Sequence, residues 1–433
     1  TNPPVSVDVD IYNMSYGWTY GKDNQGNPNT TYNLRSHVPE DGALEEALEN
    51  GVNNLRDGKG AIYIKSSGND YKPPQSTSVD CGGNLSCTDM VIDNYQGMPY
   101  IIQVGALQAT GFVSSYTTPG SALWISGFGG EGGNNTSHSG INASGGNSPA
   151  MMTTDQSTCS QGYVRTGVSA GAGKNLNAFN NGDHSENSSC NYASTFNGTS
   201  SAAPTVAGVV ALMLEANPAL TWRDVKHILA TTAVQVGSDS DYSYTYQSIV
   251  QYEWETNSAG HKFHNWFGFG KVDAAEAVTT AASYTADSRG TFVDTGYKSS
   301  GIINSTISYP NTTQSSISVT KPSGSNDFVE FVRVNVMFSH AVPKSVGLRL
   351  LSPDGTVVNI LQPMTNIGTN PSGTLLDIGV SALYGESIEG DWLIGVNDYI
   401  VDGTSGTLVG WGIPVSYTHL RAHETRHDLV CRL

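Results

Sequence analysis

Hydrophobic positions divide the chain into a mixed helical and strand region followed by a region of strands alone. Residues 5–14, VSVDVDIYNM, predict β structure ending in a buried strand before a Gly/Tyr turn. Leu44, Leu48, Val52 and Leu55 then recur at three- and four-residue steps, the period of an amphipathic helix. Short apolar runs at residues 61–64 and 100–104 predict two further strands, and strand, helix, strand in this order predicts a parallel sheet with crossovers. Residues 127–147 and 167–197 are rich in Gly, Asn and Ser and read as long loops. A helix is predicted from Ser200 to about Ala216, where Asn217 and Pro218 stop it. Another follows Thr221, whose spacing to Asp224 resembles a capping box with Asp in place of Glu, and a third starts at Asp273. Beyond about Thr285 helical periodicity vanishes, and Val/Ile/Phe-rich segments such as 328–338 alternate with turns such as SPDGT, so a separate all-β domain is expected.

At 433 residues the chain exceeds one ordinary hydrophobic core, which agrees with two domains. Charged residues make up 14%, well below the roughly 25% of ordinary soluble domains, so Asn, Ser, Thr and Gly must build the solvated faces. The formal net charge of −17 argues against nucleic acid, whose phosphates call for a basic stripe, and makes calcium the more natural partner. The longest apolar stretch, residues 206–214, is far short of the ~20 residues of a membrane span, and no signal-peptide pattern opens the chain. Thr1 stands where Met would open a reading frame, so a processed or cropped chain is expected.

From about Val415 the sequence reads VSYTHLRAHETRHDLVCRL, where His and Arg suddenly dominate. It resembles a sequencing-library adapter translated in the open frame, so residues 415–433 are expected to lie outside the fold. The remaining cysteines are Cys81, Cys87, Cys159 and Cys190. Of the three possible pairings, the short separation favours Cys81 with Cys87 and Cys159 with Cys190, and with them an oxidising, extracellular or otherwise secreted setting. The alternative is buried reduced thiols.

The strongest chemical motif is NGTSSAAP at residues 197–204, running into an apolar helix. A serine at a helix start sits near the positive end of the helix dipole and beside free N–H groups, which suits a nucleophile whose attack creates an oxyanion. Helix-capping serines share that position, so the wider string decides. GTSSAAP, LEANPALTWRDVKHIL and FGFGKVDA together resemble the serine segment and following helices of the subtilisin superfamily, closest to its kexin and furin branch. The resemblance implies that Ser200 is the nucleophile of a serine endopeptidase acting on protein or peptide substrates.

GKGAIYIKSSGND resembles the family's strand and loop carrying the oxyanion asparagine, which implies that role for Asn69, with Ser67 and Gly68 lining the specificity pocket. VDIYNMSYG resembles the strand whose edge pairs with substrate, implying Ser15, Tyr16 and Gly17 along the cleft. By the same resemblance Asp93 keeps one acidic pocket position, while Tyr20 and Thr118 replace two others. Strict cleavage after paired basic residues is therefore not expected. Asp93 could still favour Lys or Arg, or be a simple loop acid. FSH, LLSPDGT, YGESIEGDW and GWG, between Phe331 and Trp411, resemble the P domain that follows the protease in convertases.

The expected fold is thus α/β, a subtilisin-like parallel sheet with helices on both faces over residues 1–284, incomplete at its N-terminal side. A jelly-roll-like P domain over 285–414 is expected to follow it. The family orders its triad Asp, His, Ser, with both earlier members upstream of the strand matched by residues 5–14. No His-Gly-Thr occurs here, and His37, His138, His184, His227, His261, His264 and His340 all fall after that strand. His227 and His340 read as packing or polar-surface residues.

The resemblance implies an N-terminally truncated copy, inactive alone, calcium-stabilised and monomeric. The competing reading is a degenerate subtilase that only binds protein. GVSAG at residues 167–171 fits the nucleophile elbow of another hydrolase class, but no apolar helix follows Ser169, so no catalytic role is assigned to it.

Overall fold

The computed structural model describes residues 9–17, 42–70, 88–133, 149–166, 178–181, 184–237, 245–246, 249–250, 252–321, 327–365, 367 and 373–419. Four parallel strands form the first sheet: β1 (Ile11–Met14), β2 (Ile62–Ser66), β3 (Ile101–Leu107) and β4 (Ile125–Phe128), in that spatial order. β2 and β3 are buried along their whole length, as expected of parallel strands covered by helices. β4 has no matching expectation, because its sequence ISGF carries neither alternation nor a long apolar run.

Helix α1 (Gly42–Asn54) buries Leu48 and Val52, two of the positions whose spacing predicts it. Helix α2 (Thr199–Ala216) packs on all four strands and buries Ala202, Ala203, Val206, Val209, Val210 and Met213 at three- and four-residue steps. By length and composition alone α2 could cross a membrane, but this face makes it the core helix of the first domain. In α3 (Trp222–Thr232) the expected capping box is present: Thr221 Oγ1 accepts from the Asp224 amide, and the Asp224 side chain accepts from the Thr221 amide at 2.8 Å. α4 (Ala274–Ser283) begins at the N-cap Asp273.

The stretch expected to be loop between residues 167 and 197 is not wholly so. Met151–Thr154 (β5) and Tyr192–Phe196 (β6) form an antiparallel pair, tied near its base by a Cys159–Cys190 disulfide. The sequence YASTF is too polar for its strand character to show. Cys81, Cys87, Tyr20, Ser169, His37 and His138 lie outside the described residues.

The expected division at 284/285 falls between the end of α4 and the strand Thr291–Asp294. From there two antiparallel sheets face each other across a core of Val334, Val336, Phe338, Leu350, Trp392, Ile394 and Leu408. The long strand Phe328–His340 lies at the centre of one sheet, pairing with Thr374–Val380, Gly406–Ile413 and Val415–His419.

The expected end of the fold at residue 414 therefore requires correction. Val415–His419 pairs with both Thr291–Asp294 and Phe328–His340, and Val415 and Tyr417 are buried. Its VSYTH pattern supplies two core side chains, which the abrupt change in composition hides. Residues 420–433 lie outside the described residues.

The two domains share a broad polar and aromatic seam. Arg223 of α3 donates from Nε to both carboxylate oxygens of Glu330 at 3.1 Å, and Arg289 stands 3.8 Å from the same carboxylate. Burial alone would raise the Glu330 pKa. The charges of Arg223 and Arg289 and the hydrogen bonds from Arg223 and Thr418 outweigh it and hold the carboxylate below its ordinary value.

Glu330→Gln should therefore cost about 3–5 kcal/mol at neutral pH, because two guanidiniums lose their counter-charge. A group with a depressed folded pKa stabilises above its unfolded pKa, and that contribution is lost as pH falls through the folded value. The gap between the urea midpoints of the wild type and Glu330→Gln should thus be widest at neutral pH and close in acid; a gap independent of pH refutes the charge pairing.

Candidate active site

α2 opens at the C-terminal ends of the parallel strands, and each strand end contributes to its first turn. Gly198, the N-cap, has φ +101°, a conformation that L side chains rarely adopt. Its amide donates at 2.8 Å to the hydroxyl of Tyr116, which in turn donates to the Gly130 carbonyl at 2.6 Å. Burial pushes the Tyr116 phenol up to about 12, so it stays protonated and can both accept and donate. Asn197 is held by its Nδ2 donating to Glu131 O at 2.8 Å.

Thr199 is fully buried and fixes Asn69. Its amide and its Oγ1 donate to Asn69 Oδ1 at 2.7 and 2.8 Å, while Oγ1 accepts from the Gly68 amide at 3.2 Å. With Oδ1 engaged twice, the exposed Asn69 keeps Nδ2 as a donor with no partner among the described residues. A Cβ at Gly198 would stand 3.3 Å from that Nδ2, so the amide lies against the helix N-cap.

Ser200 is half-buried and follows directly. Its Oγ donates to the Ser15 carbonyl at 3.3 Å, and Ser15 Oγ donates back to the Ser200 carbonyl at 3.0 Å. That carbonyl is available because residue 204 is proline: with no N–H at position i+4, Ser200 O has no intrahelical partner. The motif thus explains both the presentation of Ser200 and its link to Ser15. No histidine among the described residues hydrogen-bonds Ser200 Oγ. His227 instead meets the Tyr384 hydroxyl at 2.9 Å, and His340 lies 3.4 Å from Asp398, both at packing positions. Burial, with Arg289 and His261 nearby, keeps His227 far below the usual histidine range.

Residues 15–17 continue β1, an edge strand among the described residues, with Tyr16 exposed and its ring edge-on to Tyr95. Ser67 is buried with its Oγ unpartnered among the described residues, and Gly68 faces Thr118, whose Oγ1 a Cβ there would meet at 2.8 Å. Thr118 Oγ1 also accepts from the Asp70 amide at 3.2 Å.

Asp93 is not a free acid. Its Oδ2 accepts from the Lys65 ammonium at 2.7 Å and its Oδ1 from the Tyr95 amide at 3.0 Å. Lys65 was not among the expected site residues. The signal that could have found it is a lysine inside the apolar run AIYIKSS, where burial demands a counter-charge.

A cavity of about 420 Å³ opens elsewhere, at the domain seam beside Trp222 and Phe292, away from Ser200. Among the described residues no group of three or more His, Cys, Asp or Glu gathers to hold a metal. Of the acids in VDCGGNLSCTDMVIDN, Asp89 is engaged by the Val91 amide and the Tyr252 hydroxyl, and Asp93 by Lys65.

Residues 4–270 match the Subtilase family, and residues 329–415 match the proprotein convertase P-domain. The chain belongs to the subtilase family. Among curated relatives it is 29% identical over 372 residues to the Aeromonas extracellular serine protease of Aeromonas sobria, covering 80% of this chain and 56% of that protein. It is 27% identical over 362 residues to kexin of Saccharomyces cerevisiae, covering 82% of this chain and 35% of kexin. The crystal structure of the serine protease of Aeromonas sobria superposes with a TM-score of 0.76 at 26% identity, over 95% of this chain and 72% of that one. The chain thus spans little more than half the length of the first of these curated relatives and about a third of kexin.

Thr199→Val should leave Asn69 Oδ1 with one donor fewer and the Gly68 amide without its acceptor, costing about 1–3 kcal/mol. Thr199→Ser keeps both contacts and should recover most of that loss. Urea unfolding of the two variants checks this; destabilisation by Ser with little by Val would mean that the methyl packing, not the hydroxyl, holds the turn.

Proposed function

We propose that this chain is the serine-bearing part of a secreted serine endopeptidase that hydrolyses peptide bonds through an acyl-enzyme on Ser200. The observation that carries the reading is the double hold of Thr199 on Asn69 Oδ1, which leaves the amide Nδ2 as a spare donor beside the N-cap of the helix that presents Ser200. Substrate adds as a strand along Ser15, Tyr16 and Gly17, the open continuation of the sheet edge, with Ser67, Gly68 and Asp93 around the side chain preceding the cleaved bond. Attack of Oγ forms the C–O bond, and the carbonyl oxygen takes the negative charge, which Asn69 Nδ2 and the N-terminus of α2 stabilise. Collapse expels the amine, and water then hydrolyses the acyl-serine.

The attacking hydroxyl must lose its proton, and the only partner of Ser200 Oγ among the described residues is a backbone carbonyl, which is no base at neutral pH. The chain alone is therefore inert, and the imidazole must come from a further segment. The P domain acts as a support for the catalytic domain, and the whole works as a monomer on protein or peptide substrates. The secreted setting draws on the extracellular relative and on the disulfide. Calcium enters this reading as a structural ion only.

A fluorophosphonate probe should not label Ser200 in this chain, and should label it in a longer protein that joins the family's Asp and His segments to it. In that longer protein Asn69→Ala should lower kcat by roughly 10²–10³, the loss that follows removal of the oxyanion-hole asparagine in subtilisin itself. Labelling of this chain alone refutes its inertness. No labelling of the longer protein favours the binding-module reading.

A further inference from the structure

We propose that Lys65 is a built-in counter-ion that takes the place of a basic substrate side chain at Asp93, so that the pocket rejects Lys and Arg and accepts an uncharged residue. This rests on the reading of Ser67, Gly68 and Asp93 as the pocket wall.

Lys65 lies on β2, only 1% exposed, and all three of its ammonium protons are used. They go to Asp93 Oδ2 at 2.7 Å, Tyr16 O at 2.8 Å and Ser66 O at 3.2 Å. The ammonium also sits 5.1 Å from the centre of the Tyr95 ring. The Asp93 side chain is 10% exposed, with its second oxygen held by the Tyr95 amide. A carboxylate in this state carries no net attraction for a further cation. An incoming guanidinium would have to expel a buried ammonium, leaving it uncompensated, or lie beside it as a like charge in a poorly solvated site.

The pair also sits directly under the cleft segment. A Cβ at Gly17 would meet Asp93 Oδ2 at 2.9 Å and Lys65 Nζ at 3.1 Å, so backbone of the substrate-pairing stretch closes over the two charges. The bond to Tyr16 O couples the same ammonium to that stretch. Lys65 is thus a specificity-determining residue that acts through Asp93, without itself touching the reacting atoms.

The test needs no catalysis. p-Aminobenzamidine, an amidinium whose fluorescence rises on entering an apolar site, is titrated into the chain as it exists and into Lys65→Met, which keeps an unbranched side chain one atom shorter and removes its charge. Lys65→Met should bind the probe at least about tenfold more tightly than the wild type, as expected for a close charge pair. Lys65→Met combined with Asp93→Asn should return to the wild-type level. Equal binding by the wild type and Lys65→Met, whether strong or absent, overturns the proposal. Should circular dichroism show that Lys65→Met does not fold, the wild type decides: saturable binding with a Kd below about 0.1 mM overturns it, and its absence supports it. Because this readout is reversible binding and that for Ser200 is covalent labelling, failure of one is distinguishable from failure of the other.

Discussion

Burial of α2 against the parallel sheet fixes nearly everything else at the site. The helix has no charged side chain before its last turn, and it covers β1 to β4 with alanine, valine and methionine. Once that face is buried, its first turn is set against the C-terminal ends of the strands, where residues 15, 69 and 129 emerge. Small side chains at Ala202 and Ala203 bring the helix close enough for those ends to touch it. Pro204 adds a second effect of the same kind, since it removes one helical hydrogen bond and gives the freed carbonyl to Ser15. Ser200 is where it is because of apolar packing several turns away, with polar contacts refining the last ångström.

The second domain bears on the same region from the other side. Gln96, three residues after Asp93, accepts from the Gly379 amide at 2.7 Å and donates to the Asp377 carbonyl, so a P-domain strand holds the short turn on which Asp93 sits. Ser121 makes a similar bridge, donating to Gly379 O at 2.7 Å and accepting from the Ser381 amide at 2.8 Å. Lys226, on α3, donates to Pro99 O at 2.6 Å and lies 4.0 Å from the centre of the Trp124 ring. Its burial pushes the ammonium down to about 7. The Gln96 and Ser121 contacts make the P domain a brace for the turn that carries Asp93, which gives physical content to its joining with the first domain in one chain.

What could be read from the sequence follows the range of the interactions involved. The α2 and α3 helices, the Asp224 capping box and the long P-domain strand were legible because each is written in residues close together, by period or by cap spacing. The pair Cys159–Cys190 was legible from arithmetic once the short Cys81 to Cys87 separation was given weight. The hairpin of β5 and β6 was not, since YASTF gains its strand character from pairing with a segment some forty residues earlier. The ion pair of Lys65 with Asp93 was half legible: a lysine inside the apolar run AIYIKSS calls for a counter-charge, but nothing local names Asp93, 28 residues on, as its source. The strand Val415–His419 was hidden by composition, because two buried side chains are a faint pattern inside a run dominated by His and Arg.

The turn leading into Ser200 is held by Tyr116, Asn69 and Glu131, from the segments that follow three separate strands, and none of these restraints involves a histidine. On the proposed reading, the geometry for receiving a peptide carbonyl is assembled independently of the group that would remove the proton. If Ser200 is the nucleophile proposed, the donors around it are preorganised by packing and would stabilise an oxyanion at no further cost at the moment of reaction. Ser200 itself cannot ionise, because the hydroxyl of serine gives up its proton only to a base poised within hydrogen-bond reach. Position and activation are thus separable in this fold, and only the first is written in the residues around Ser200.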